Sequence, residues 1–478
     1  MRQIRETRRA RRLRDTTPRY RRSSAVLVAA GLLFAGVACS DDSGDKADNA
    51  KADPSGAANT TATGGGKKVS ITVNCKPPRT AEVDRKQWEQ DVATFEKANP
   101  NIKIESKDAF PCSDPTTFEA KLSGGRMEDL FYVNYTNVQT VLARGGAADI
   151  SAHMDKLVAG KELRPDLVKY FQDAGGKTFG VPRTNYSMGL VYNRALFTKA
   201  GLDPNKPPAT WDEVRAAAKK IADSGGGAVG YADYSASNQG GWHFVAELYS
   251  RGGTAVSADG KSGTVNTPEG KAVLQTLHDM RWTDNSMGSK QLLTIADVQQ
   301  MMGSGRLGMF LAAPDNIPTI VNEFGGKLAD LGIAPMPEGK GTLAGGDGYM
   351  FNKKCTPEQI EAGLKWLDFL ALTPGKGLND WARGKTDKEP VGLPEPAIWT
   401  GGAAKSNVDL KAANANLPVE NYASFAGATV PAIAEPPNGQ QIYSILDGVV
   451  SSVLTKKDAD LDKLLGDANS KITQQLAK

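Results

Sequence analysis

The sequence predicts an α/β protein built on a parallel sheet with helices on both faces. Two observations carry this. From residue 68 to 134, strand-like and helix-like segments alternate as β-α-β-α-β, and further on the short apolar strands again fall between helices. In such sheets ligands bind beyond the carboxyl ends of the strands.

Taken in order, Lys68–Asn74 reads as the first strand. The following helix, about Ala81–Ala98, places Trp88, Val92 and Phe95 on one face and stops at Asn99-Pro100. Ile102–Ser106 is the second strand, Thr116–Ser123 the next helix and Asp129–Asn134 the third strand. Gly180-Val181-Pro182 leads into the apolar strand Gly189–Tyr192. Thr210 starts a helix, with Glu213 placed to complete a capping box. Thr267-Pro268-Glu269 and Thr356-Pro357-Glu358 are two more starts, each with proline at the first helical position. Gly227–Tyr231, Arg306–Ala312, Leu331–Met336 and Gly348–Asn352 read as strands, and the chain is mostly helical from Thr356 onward.

Length and composition bound the rest. The 478 residues, 40% hydrophobic and 23% charged, suit one or two large cores and exclude a coiled coil, a collagen-like fibre and a polytopic membrane protein. The net charge of +4 misleads, because residues 1–22 carry ten Arg against Glu6 and Asp15. Without that arm the chain is net negative, and no nucleic-acid partner is expected.

The arm runs into the uncharged stretch SSAVLVAAGLLFAGVA, so residues 1–38 read as a secretory signal. Gly36-Val37-Ala38-Cys39 resembles a bacterial lipobox, which implies a lipid on Cys39 and anchoring to the outer face of the cell membrane. Arg21-Arg22 leaves a twin-arginine export route open. Residues 39–67 are poor in large apolar side chains and read as a flexible tether with a reach of about 30 Å. Cys75 and Cys112 lie at or beyond the ends of two strands. If those strands are neighbours, an exported protein permits a disulfide; two separate buried thiols are the alternative. Cys355 is left free.

Catalytic patterns are missing. His153, His243 and His278 are far apart, which excludes an HExxH site. Gly260-Lys261-Ser262 and Gly176-Lys177-Thr178 lack the first glycine of a phosphate loop, with Ala255 and Phe171 in its place. No enzyme activity, cofactor or metal is expected.

The run FGVPRTNYSMGLVYNRALFTKAGLDPNKPPATWDEVRAAAKKIA (residues 179–222) closely resembles the extracellular solute-binding proteins of bacterial ABC importers. It looks most like the carbohydrate-binding branch that includes the maltodextrin-binding proteins. FEKANPNIKIE, MFLAAPDNI, GIAPMPEGKGTLAGGDGYMF and EAGLKWLDFL extend the match in order to the C-terminus. The resemblance implies a periplasmic-binding-protein-like fold of two α/β lobes around a cleft. It implies a monomer that captures a mono- or oligosaccharide and delivers it to an ABC transporter permease. Three crossings are expected near Pro182–Asn185, Leu311–Pro314 and Gly345–Gly348. Lobe one is then 68–183 plus 313–345, and lobe two 184–312 plus 346–478. Gly345, Gly346 and Gly348 would absorb the hinge rotation.

Sugars are held by aromatic faces and by planar hydrogen-bonding side chains. The segment Tyr231–Trp242 offers both, with Trp242 as stacking platform and Tyr234, Asn238 and Gln239 beside it. Asn134, Tyr135 and Asn137 follow the third strand, and Lys76 and Arg79 follow the first. Arg183 and Asn185 lie at the first crossing, Asp315 and Asn316 after the second, and Asp347 beside Gly346 at the third. Trp381 or Trp399 supplies a further aromatic face, whereas Trp88, Trp211, Trp282 and Trp366 fall in helical patterns and read as packing. Two alternatives stay open. The same fold could bind another solute, such as an amino-acid derivative, peptide or polyamine, or the chain could be a secreted glycoside hydrolase.

Overall fold

The computed structural model describes residues 67–108, 112, 115–236 and 239–477. The signal peptide, Cys39 and the tether up to residue 66 lie outside the described residues, as does Asn238. Three strands open the first sheet: β1 (Val69–Lys76), β2 (Ile102–Asp108) and β3 (Leu130–Asn134). They pair in parallel in the order β3-β1-β2. The helix Glu82–Ala98 links β1 to β2, and Trp88 and Phe95 fix it to the sheet through one core with Ile71 and Val73. Cys75 and Cys112 form a disulfide with Cα atoms 5.2 Å apart, and Cys355 is free.

β4 (Gly180–Ser187) passes through the single residue Met188 into β5 (Gly189–Asn193). β4 belongs to the first sheet, whereas β5 is the first strand of the second. That second sheet adds β6 (Val229–Tyr231), β7 (Leu307–Ala312) and β8 (Leu331–Ala334), in the order β6-β7-β5-β8. Its strands are buried on both faces. Leu190 and Tyr192 enter one core and Val191, between them, enters another, so a period of two is masked by a continuous apolar run. β9 (Thr342–Phe351) returns to the first sheet and pairs antiparallel with both β3 and β4. β10 (Ala432–Ala434) pairs with its first three residues.

Helix starts follow local chemistry. Thr210 and Thr356 both complete capping boxes, and the Thr267 hydroxyl accepts from Gly270 N. Among the described residues no helix is long and apolar enough to cross a membrane.

The lobe boundaries differ from the expected ones in two segments. Residues 313–345 were assigned to lobe one, yet β8 pairs with β5, and Ile317 and Ile320 share a core with Val191. Residues 313–341 belong to lobe two, whereas 342–345 open β9 and stay with the first sheet. Residues 346–400, assigned to lobe two, lie with the first sheet, because β9 pairs with β3 and Trp366, Leu370 and Trp399 pack against Ile71 and Phe95. Leu393, Leu417 and Tyr422 pack into lobe two, β10 touches the first sheet again, and the helices Gly439–Thr455 and Leu461–Leu476 close the core of lobe two.

The crossings move accordingly. Pro182–Asn185 lies inside β4, Leu311–Pro314 stays within lobe two, and Gly345–Gly348 lies inside β9. The chain passes between lobes at Met188 and between Ala334 and Thr342. Gly345, Gly346 and Gly348 therefore lie inside a paired strand of the first sheet, away from the passages between lobes. None has a positive φ. They are small because neighbours press on the strand: a Cβ on Gly348 would lie 2.2 Å from Val181 O.

Candidate ligand-binding cleft

The chemistry of the cleft begins with strand register. Asp347 on β9 lies opposite Asn134 on β3 and opposite Thr184 on β4. Three polar residues thus form a row across three strands. β4 carries an irregularity between Pro182 and Thr184, where one extra residue, Arg183, interrupts the ladder. Bulges of this kind re-aim side chains beside functional sites. Here the guanidinium turns onto Asp347, with Nε donating to Oδ1 at 2.6 Å and Nη2 to Oδ2 at 2.8 Å. Thr184 Oγ1 donates to the same Oδ2 at 2.7 Å. The guanidinium carbon sits 5.5 Å from the centre of the Tyr132 ring, and Tyr132 OH donates to Asn134 Oδ1 at 3.0 Å.

This row floors a cavity of about 350 Å³ walled by both lobes. Lobe two contributes Pro314 and Asp315, which follow β7, and the segment 379–411 contributes Asn379, Trp381, Glu395, Trp399, Asn407 and Lys411. Trp381 is half-buried and its Nε1 donates to Asn407 Oδ1 at 2.8 Å, while Lys411 Nζ lies 4.5 Å from its ring centre. Trp399 is buried and donates to Leu372 O at 2.9 Å, so it presents an edge of the wall rather than a free face. Asp315 is open to the cleft water but enclosed by protein on its other sides. Burial and then the nearby Glu395 carboxylate push its pKa up to about 6.

A second cavity of about 740 Å³ shares Asn185, Tyr186, Glu395 and Pro396 with the first. It is more apolar, with Met188, Met336 and Phe425 beside Tyr135 and Tyr170. Those two tyrosine rings stack at 4.5 Å and 18°, and Tyr135 OH donates to Thr184 O at 2.8 Å. A third space of about 280 Å³ shares Tyr135, Tyr170 and Gly345 and ends at Glu435. Shared walls make the three one cleft. Its volume falls within or above the few hundred Å³ usual for small-molecule sites.

The sequence-derived candidates separate into two groups. Asn134, Tyr135, Arg183, Asn185, Asp315, Gly346, Asp347, Trp381 and Trp399 line the cleft. Trp242, Tyr234, Asn137, Lys76 and Arg79 line none of these cavities. Trp242 was expected in a loop, but the helix Gln239–Ser250 already includes it, and it packs against both cores of lobe two, 6.2 Å from Tyr186. Tyr234 and Asn137 are buried. Tyr234 packs against Phe310 and His243. Lys76 pairs with Glu89 at 2.8 Å, beside the Glu82–Ala98 helix rather than the cleft, and Arg79 is exposed. Gln239 begins the helix, and Asn316 donates to Asp315 Oδ1 at 3.1 Å.

Sequence reasoning missed Tyr132, Thr184, Tyr186, Glu395, Lys411 and Glu435. Tyr132 was within reach, since it lies two residues before Asn134 on one strand and shares its face. Nothing local marks the others. Among the described residues no group of His, Cys, Asp or Glu could hold a metal ion.

Glu435 yields a pH test. Burial pushes its carboxyl up to about 7, opposed by hydrogen bonds from Tyr443 and Trp242. A folded-state pKa above the unfolded one means that folding takes up a proton. Stability is then greatest below pH ~4.5, the usual glutamate value, and falls as pH rises through about 7. Glu435→Gln keeps an acceptor for Tyr443, which donates at 3.0 Å. The variant should match wild type at pH 4 and melt higher at pH 8; parallel melting curves from pH 4 to 8.5 would reject this.

Comparison with known proteins agrees with this fold. The chain is 26% identical over 403 residues to a binding protein of Brucella abortus strain 2308, covering 82% of this chain and 90% of that one. It is 28% identical over 228 residues to the sn-glycerol-3-phosphate-binding periplasmic protein UgpB of the same strain, covering 44% of this chain and 48% of that one. The crystal structure of an ABC transporter solute-binding protein from Thermotoga lettingae, bound with alpha-D-tagatose, superposes with a TM-score of 0.68. Identity there is 21%, with 86% of this chain and all of that one covered, a likeness of fold. A family model matches residues 80–377, well over half of the chain, and the protein belongs to the bacterial extracellular solute-binding protein family.

Proposed function

We propose that this chain is the substrate-binding protein of an ABC importer, capturing a mono- or oligosaccharide and delivering it to the permease without altering it. The observation that carries the reading is the composition of the interlobe cleft. Aromatic rings (Tyr135, Tyr170, Tyr186, Trp381) and amide side chains (Asn134, Asn185, Asn379, Asn407) alternate around it. Rings cover the apolar C–H faces of a sugar while amides pair with its hydroxyls. Closure of the lobes on ligand would be the state that the permease reads. The lipobox-like Cys39 supports tethering to the outer face of the membrane. The likeness to an sn-glycerol-3-phosphate-binding protein favours a second reading, in which the solute is a phosphorylated polyol.

The test is a thermal-shift screen of the purified protein against mono-, di- and oligosaccharides, polyol phosphates, amino acids and polyamines. A ligand at 100 times its dissociation constant should stabilise the fold by about 2.7 kcal/mol. A sugar that raises the melting temperature and is recovered intact is the expected result. Stabilisation only by an amino acid or polyamine would replace the sugar assignment, and recovery of a cleaved sugar would make the protein a hydrolase.

A further inference from the structure

We infer that the cleft sorts its ligands by charge, with Asp315 reserving it for uncharged or cationic polyhydroxy compounds and turning away phosphate esters. This rests on the binding-protein reading above and decides between its two ligand classes.

The argument is an inventory of charge partners. A phosphate is held by free cations or by unpaired backbone N–H donors, and a nearby uncompensated carboxylate repels it. Of the four cations that line this cleft, three are matched to carboxylates. Arg183 gives Nε and Nη2 to Asp347 at 2.6 and 2.8 Å. Lys411 pairs with Glu395 at 3.2 Å, donates to Leu393 O at 3.2 Å and lies over Trp381. Arg164 gives Nε and Nη2 to Asp166. Lys169 lines the larger cavity, but it is exposed at the rim.

The carboxylates are not all matched. Asp315 takes one hydrogen bond, from Asn316, and has no ion-pair partner among the described residues. Glu435, at the other end of the cleft, is likewise held by hydroxyl and indole donors. Tyr186 lines both larger cavities, one of them with Asp315, and feels both charges. A ligand in the cleft therefore meets two acceptors with spare lone pairs. Sugar hydroxyls and protonated amines donate to such groups, whereas a phosphate ester offers only more negative charge. The first turn of the Tyr135–Ala143 helix adds backbone N–H donors beside Asn134, whose side chain does not cap it. Those donors serve hydroxyls as well as anions, so Asp315, which has no ion-pair contact among the described residues, is what separates the two.

Calorimetric titration of the intact protein at pH 7.5 with four probes tests this: maltotriose, chitotriose, the deacetylated chitotriose trimer, which is cationic, and sn-glycerol 3-phosphate. At least one of the first three should bind ten or more times tighter than the phosphate. Asp315→Asn, a near-isosteric change at an accessible position, should narrow that ratio at least threefold and weaken the cationic trimer most. Tighter binding of sn-glycerol 3-phosphate by wild type would overturn the inference while leaving the binding-protein reading in place. An unchanged ratio in a folded Asp315→Asn variant would overturn the role of Asp315. Silence across all four probes would count against the proposed function itself, and the charge filter would fall with it.

Discussion

Replacing Arg183 with alanine is expected to destabilise the protein by about 3–5 kcal/mol and to abolish ligand binding. The size follows from what is left behind. Asp347 is 8% exposed and lies on β9, an inner strand of the first sheet paired with both β3 and β4. With Arg183 present, its two oxygens receive three donors, two from the guanidinium and one from Thr184. Without it, one oxygen keeps the Thr184 hydroxyl and the other loses its donor. A buried carboxylate stripped of its cation carries a desolvation cost of several kcal/mol. Chemical denaturation of Arg183→Ala, Asp347→Ala and the double variant would measure this. The double variant should be more stable than Arg183→Ala alone, because it removes the stranded charge. A loss under about 1 kcal/mol in Arg183→Ala would mean that water or a neighbouring cation replaces the guanidinium. The pair also frames the cleft floor: Asp347 was expected to accept sugar hydroxyls directly, yet its oxygens are already engaged from within the protein. Asp347 instead holds Arg183 in place through its two hydrogen bonds.

Much of this was legible in the sequence, for reasons that are local. The capping boxes at Thr210 and Thr356 depend on residues three apart, and the strands that they precede or follow are bounded by turn chemistry. Asn134, Asp315 and Asp347 reach the cleft because they lie at strand ends or in register across a sheet, where polar residues between apolar runs stand out. What failed was long-range or ambiguous. The pairing of β8 with β5 joins residues about 140 apart, and no local signal says which sheet an apolar run of four will enter. The glycines of β9 look like hinge residues because glycine serves both rotation and close packing, and only the neighbours tell which. Trp242 follows a polar stretch and begins a helix pattern, and both readings fit the same residues. The helix won because Gly240 and Gly241 pack tightly: a Cβ on Gly241 would lie 2.0 Å from Tyr443 O. That contact seats the helix against lobe two and turns Trp242 into its core.

Gly346 provides the second large effect. A Cβ built on it would lie 2.3 Å from Thr184 O and 2.7 Å from the Tyr135 ring. The first atom is backbone and the second belongs to a ring that stacks on Tyr170 and donates to that same carbonyl at 2.8 Å. Neither neighbour can yield alone, so β9 and β4 must separate where Asn185 pairs with Gly346 and Thr184 with Asp347. Overpacking of this kind costs about 3 kcal/mol. It should also lower ligand affinity more than tenfold, because the strands that part are those holding Arg183 against Asp347. Gly448 is the matched control. It is exposed within the Gly439–Thr455 helix, and a Cβ there meets nothing within 4 Å. Alanine at 448 should therefore stabilise by about 0.5–1 kcal/mol, since glycine in a helix interior is the costlier residue. Denaturation midpoints of the two variants should move in opposite directions, with only Gly346→Ala losing affinity for whichever sugar the screen identifies. If Gly346→Ala kept both stability and affinity, the strands would have slack that their hydrogen-bonded register does not suggest, and the glycines of β9 would have to be read again as elements of motion.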